Sequence, residues 1–236
     1  MSEFLYENRS YIGKFFEISA AILGTIYLKQ TNNQKLKVFV VFLWITVIVE
    51  ILGMYKSFLQ NNYDYSWFIV WKNSIFCQNI WLYNIYNFLT IGFLGVFYTE
   101  LISNKSSKLF IRSIVVLYSV FSIFYYTFTD AFFNLGLPYD AILASVIVSI
   151  YVILYFKELM SSDYILQYYK LPSFYISVAL LLWNLCATPL FIYSGYFLPF
   201  NTEFVNFRTL LLLYINIFTY SCIGFGFWYS LKMSKQ

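Results

Sequence analysis

Seven apolar runs, joined by connections whose basic residues crowd onto alternate sides, limit what this chain can fold into more than any other feature. The runs lie at 11–28, 37–58, 79–102, 109–128, 140–156, 173–196 and 209–231. A bilayer's hydrocarbon core is about 30 Å thick, and a helix needs roughly 20 apolar residues to cross it. Each run meets or approaches that length, and the fifth, the shortest, borrows from its flanks. The runs are continuous rather than alternating, which argues against a transmembrane β-barrel. Of the 236 residues, 61% are hydrophobic and only 11% are charged, too few charges to cover a water-soluble domain of this length. Tyr and Phe crowd the run ends, as interfacial belts require. The expectation is one all-α domain over 1–236, a seven-transmembrane-helix bundle whose first partner is the lipid bilayer.

The basic residues give that bundle an orientation, because Lys and Arg in short connections stay on the cytoplasmic side. Lys29, Lys35, Lys37, Lys105, Lys108, Arg112, Lys157, Lys170, Lys232 and Lys235 fall on one side. Arg9, Lys14, Lys56, Lys72 and Arg208 fall on the other, and the connection after the fourth run has only Asp130 and Asp140. The prediction is N-terminus outside and C-terminus cytoplasmic, in the cytoplasmic (inner) membrane. The net charge of +4 follows from this bias and does not point to nucleic acid, since no basic block is long enough to track a phosphate backbone. The first ten residues carry Glu3, Glu7 and Arg9 without a basic n-region or a small-residue cleavage site, so the first run is expected to be a retained span. The longest connection, 59–78, mixes Tyr63, Tyr65, Trp67, Phe68 and Trp71 with Asp64 and Lys72, the make-up of an interfacial helix or of a lid over the bundle.

Several chemistries lack their residues. There is no histidine, which removes His-ligated haem, most zinc sites, His proton relays and a Ser–His nucleophile. Cys77, Cys186 and Cys222 form no CxxC and imply neither a metal site nor a disulfide framework; Cys186 and Cys222 read as small packing residues. Asp130 and Asp140 lie at a loop rather than paired within a span, and Gly224-Phe225-Gly226 reads as helix packing rather than a phosphate loop. Gly92-Phe93-Leu94-Gly95 and the Ser145/Ser149 pair permit close helix contact. No catalytic residue, metal or cofactor is implied, and the chain is expected not to be an enzyme.

What remains is a set of polar side chains inside the spans, where each is costly and should face the bundle interior. At 1.5 Å per residue, Glu17 lies roughly 9 Å in from the outer end of its span, Glu50 roughly 12 Å, Asn84 and Asn87 roughly 8–12 Å, Asn184 roughly 18 Å and Asn216 roughly 11 Å. Asn84 and Asn87 share a helix face, as do Asn216 and Tyr220. Lys14 and Glu17 are close enough to pair. Pro189 interrupts the sixth span and bends it, with Thr188 near enough to help satisfy what it exposes. Either the asparagines join helices, or with the carboxylates they form a ligand site: Glu50, Glu17, Asn84, Asn87, Asn184, Asn216 and Tyr220. Glu50 weighs most toward a site. Val49, Ile51 and Leu52 surround it, and an ionised carboxylate there needs Lys14 or a bound ligand as partner.

Glu50 in Val-Glu-Ile-Leu-Gly-Met-Tyr, Asn84 in Trp-Leu-Tyr-Asn-Ile-Tyr and Asn216 in Tyr-Ile-Asn-Ile-Phe-Thr-Tyr carry a resemblance. The chain resembles seven-span bacterial membrane proteins to which no function is assigned, so the resemblance implies a membrane fold and no mechanism. The expected function is a receptor- or sensor-like membrane protein with a polar pocket opening outward, taking a small ligand or a protein partner. A small-solute or ion transporter or channel is the first alternative. A membrane accessory or effector acting through protein partners, of the kind found in antiphage systems, is the second. Transport calls for water continuity from both faces, a sensor for a pocket closed on the cytoplasmic side, and an effector for oligomers.

Overall fold

The computed structural model describes residues 8–59, 65–134, 139–197 and 201–234. Every regular element among them is helical. Seven helices are long and apolar enough to cross a membrane: α1 (Arg9–Thr31), α2 (Lys37–Gly53), α3 (Ile80–Leu101), α4 (Lys105–Phe128), α5 (Tyr139–Met160), α6 (Pro172–Phe197) and α7 (Thr202–Met233). After a turn at Met54, the short helix Tyr55–Leu59 prolongs α2. The chain is thus built as a multi-pass helical membrane protein. The end of the bundle where α1, α3, α5 and α7 begin is called upper below, the other lower.

Polar residues set the helix ends. Asn32 closes α1 in the left-handed region at φ 51°, which asparagine tolerates better than most residues. Asn104 caps α4 by accepting from the backbone N–H of Ser106 and Ser107 at 2.9 and 3.3 Å. Asn201 caps α7, accepting from Phe204 N at 2.9 Å. That cap starts α7 seven residues before the apolar run does. At 32 residues α7 is about 48 Å long, so it tilts or projects beyond the hydrocarbon layer. α5 likewise extends past its apolar run to Met160, where Glu158 accepts from the backbone N–H groups of Ser103 and Asn104 and ties the α3–α4 connection to α5. Pro189 does not interrupt α6, which runs through it unbroken, and Thr188 Oγ1 donates to Asn184 O at 2.6 Å on the turn below.

Six helices close into a ring in the order α1, α2, α3, α5, α6, α7 and back to α1. α4 stands outside, packed on α3 and touching α5. Its outer face exposes Leu109, Val116, Leu117, Ile123, Phe124 and Phe128, an apolar stripe that water would not tolerate and lipid tails accept. Cys186 also faces outward rather than packing inside, and all three cysteines are free.

Small residues let the ring close. A Cβ on Gly24 would stand 3.0 Å from Val40 Cγ2 and 3.1 Å from the Phe227 ring, so α1 meets both α2 and α7 there. Gly226 faces Tyr175 Cβ of α6 at 2.6 Å by the same measure, and Gly95 faces Val115 Cγ2 of α4 at 2.5 Å. Gly92, by contrast, has nothing within 4 Å. The lower half of the ring is filled with rings. Phe39 of α2, Phe97 and Tyr98 of α3, Tyr151 of α5 and Phe227 of α7 are each less than 2% exposed, and Tyr27 of α1 packs on Phe227. Tyr98 and Ser177 share a hydroxyl hydrogen bond at 3.0 Å from α3 to α6, and Tyr155 and Ser173 share one at 2.8 Å from α5 to α6. In the 59–78 connection, Ser66–Lys72 forms a short helix. Tyr55 secures the segment, accepting from Trp81 Nε1 at 2.9 Å and donating to Phe76 O and Gln78 O at 2.8 and 2.7 Å.

Candidate ligand pocket

The upper half of the ring is not filled in this way. A cavity of about 270 Å³ lies between α1, α2 and α7, lined by Arg9, Ser10, Gly13, Lys14, Glu17, Glu50, Thr209, Leu212, Leu213 and Asn216. The first turn of α1, Arg9 and Ser10, is exposed at its mouth, while Glu17, two turns deeper, is buried at 5% exposure. Residues 10, 13, 14 and 17 recur at three and four, one face of a helix, so α1 alone supplies an entire wall.

Glu17 carries a buried carboxylate oxygen, Oε2, with no hydrogen-bond partner. Glu50 reaches the same cavity from α2 and accepts from Tyr83 OH of α3 at 3.3 Å, a long bond. Gly53, one turn above Glu50, makes that contact possible. A Cβ there would come within 2.9 Å of the Tyr83 hydroxyl, and the Gly53 carbonyl, freed where α2 ends, accepts from Asn79 Nδ2 at 3.1 Å. The two carboxylates interact electrostatically with each other and with Lys14. The Lys14 Nζ itself donates to Ser10 Oγ at 2.6 Å. Asn216 also lines the cavity, and its Oδ1 accepts from Trp183 Nε1 of α6 at 2.7 Å. One turn deeper, Tyr220 lies within electrostatic reach of Glu17, Glu50 and Tyr86, and the Tyr86 hydroxyl meets Thr46 Oγ1 at 2.9 Å.

Of the seven residues singled out by sequence, Glu17, Glu50 and Asn216 therefore share one cavity and Tyr220 lies just beneath it. The other three stand apart. Asn84 Nδ2 donates to the carbonyls of Ala131 and Phe132, each at 3.0 Å, and holds the connection after α4 against α3. Asn184 bonds within its own helix, Nδ2 to Leu180 O at 2.7 Å. Asn87 is half-buried outside the cavity lining. The amides of Asn84 and Asn184 are answered by backbone carbonyls, and none of the three lines the cavity. Arg9, Ser10, Gly13 and Thr209 were not legible as site residues. They sit at or beyond the ends of their apolar runs, where polar residues carry no burial cost to signal a role.

The interfacial segment does not line the polar cavity. Trp67 and Trp71 instead face Leu52, Tyr55, Phe58, Leu59, Trp81 and Leu82 around a separate, almost wholly apolar groove of about 300 Å³. Trp67 and Trp71 therefore do not cover Glu17 and Glu50; residues 60–64, including Tyr63 and Asp64, lie outside the described residues. Among the described residues no group of three His, Cys, Asp or Glu side chains is placed to hold a metal ion. Comparisons with protein-family models, with curated proteins and with solved structures find no match to this chain.

Proposed function

We propose that the chain is a receptor-like membrane protein that binds a small polar ligand in a pocket reached from outside the cell, with its N-terminus outside and its C-terminus in the cytoplasm. One observation carries the reading: Glu17 is buried in a cavity wall with a carboxylate oxygen left unpartnered. Leaving a buried polar atom unsatisfied costs about 1–3 kcal/mol, more for a charged group. A bundle that needed only stability would place an apolar residue there.

The aromatic layer favours binding over transport. Tyr27 lies ten residues below Glu17 on α1, about 15 Å. Between them and the lower end the ring is filled by fully buried Phe39, Phe97, Tyr98, Tyr151 and Phe227. A pocket open above and packed below suits a sensor, whereas a channel or transporter needs a polar route through both halves. The orientation rests on charge: ten basic residues flank the lower end and five the upper. Reporter fusions test it. Fusions after Lys35 and Lys105 are expected to read cytoplasmic, and fusions after Asn73 and Asn134 external. A cytoplasmic reading at Asn134 reverses the orientation and turns the pocket toward the cell interior.

A further inference from the structure

We infer that the cavity takes a small zwitterion of the amino-acid type, with its ammonium group between Glu17 and Glu50 and its carboxylate toward Lys14. The inference rests on reading the cavity as a ligand pocket and adds the chemistry of what fills it.

Two carboxyl side chains, Glu17 and Glu50, reach the floor of the cavity. Glu17 has its buried Oε2 unpartnered, and Glu50 receives one long bond from Tyr83. An ammonium group brings three donors and one positive charge, which suits two carboxylates that share a cavity. The nearest built-in cation, Lys14, is within electrostatic reach of both carboxylates, but its hydrogen bonds go to Ser10 on the mouth side. A metal ion fits less well, since the described residues gather no third carboxylate or other acidic, cysteine or histidine ligand there.

The mouth has the opposite character. Arg9 and Lys14 line it, and the Lys14 ammonium, bonded to Ser10 Oγ at 2.6 Å and to Ser10 O at 3.5 Å, still has one donor to offer. A simple organic cation would pass these positive groups with nothing to gain from them, whereas a zwitterion presents a carboxylate there. Lys14 and Glu17 are three residues apart on one face of α1, so a single wall of the cavity offers both signs of charge. Leu212 and Leu213 give the remaining wall an apolar surface for a short side chain. The volume of about 270 Å³ stands at the lower end of small-ligand pockets, which run from about 300 to 1,000 Å³. That bounds the ligand to a small molecule.

The test uses the full chain purified into lipid nanodiscs, with thermal midpoint and tryptophan fluorescence as readouts, because Trp183 is bonded to the cavity wall. The probes are L-alanine, L-valine, isobutylammonium and isovalerate at matched ionic strength. The last two are valine's skeleton without its carboxylate and without its amine. At least one amino acid is expected to bind saturably, isobutylammonium more weakly, and isovalerate not at all. Glu17→Gln and Glu50→Gln, which keep shape and remove charge, should each weaken amino-acid binding about tenfold or more, equivalent to ~1.4 kcal/mol. Lys14→Gln should weaken the amino acid without weakening isobutylammonium, a split that a merely structural role for Lys14 would not produce. The unliganded midpoint of each variant reports whether it folds. Isovalerate binding as tightly as an amino acid, glutamine variants that both bind normally, or no response to any probe would overturn the inference. If the pocket is open to solvent from above and these probes still fail, the ligand class alone is wrong; if it is sealed, the pocket reading falls with it.

Discussion

Replacing Glu17 with methionine is expected to raise the thermal midpoint of the bundle by roughly 2–12 °C and to abolish binding in its cavity. Glu17 is 5% exposed and leaves Oε2 without a partner, so the wild-type chain bears the desolvation of a polar group for no structural return. Methionine has similar length, no polar atom to satisfy and enough flexibility to settle beside Leu213. Relief of about 1–3 kcal/mol translates to about 2–4 °C per kcal/mol for a domain of this size. Functional sites are where such trades of stability for activity are found. Differential scanning fluorimetry on the purified variant checks it. A lower midpoint would mean that the carboxyl group holds α1, α2 and α7 together, and that Glu17 is a structural residue.

The second large effect lies in the lower half. Gly226→Val is expected to prevent α6 and α7 from seating and to leave little folded protein. The first added atom would stand 2.6 Å from Tyr175 Cβ and 3.0 Å from its Cγ. Because Cβ is fixed to the backbone, only a shift of all of α6 relieves the clash. Tyr175 is further held by edge-on contact with Phe225 at 5.5 Å and by its hydroxyl bond to Tyr169 O at 3.0 Å. Overpacking commonly costs about 1–3 kcal/mol, and valine adds two further carbons to the first offending one. Gly92→Ala is the control. Nothing lies within 4 Å of its added methyl, and removing a mid-helix glycine gains about 0.8–1 kcal/mol of helix propensity. Equal midpoints for the two variants would contradict the close α6–α7 approach.

The spans were legible because hydropathy over about 20 residues reads the bilayer directly. Their ends were less so: Asn201 and Asn104 begin α7 and α4 within polar sequence, where a cap rather than hydropathy decides. Neighbour order was not legible at all, since nothing local in α4 records that it stands outside the ring. The site was half legible. A carboxylate among apolar residues has few inexpensive explanations, and Glu17 and Glu50 line one cavity. An asparagine has many, because a backbone carbonyl can answer its amide anywhere along a helix or a loop, as at Asn184 and Asn84. Gly53 gives no sign in the sequence that its missing side chain makes room for the Tyr83 hydroxyl beside Glu50.

A receptor of this kind requires a pocket open on one side of the membrane and closed on the other. Gly13 lines that pocket and has nothing within 4 Å of where a Cβ would stand, so a cysteine fits there without strain. In a chain carrying Cys77→Ser, Cys186→Ala and Cys222→Ala, Gly13→Cys should be the single thiol. A charged, membrane-impermeant maleimide is predicted to label it in right-side-out vesicles and to leave it unmodified in sealed inside-out vesicles. Labelling from the cytoplasmic face, or equally from both, would contradict the account.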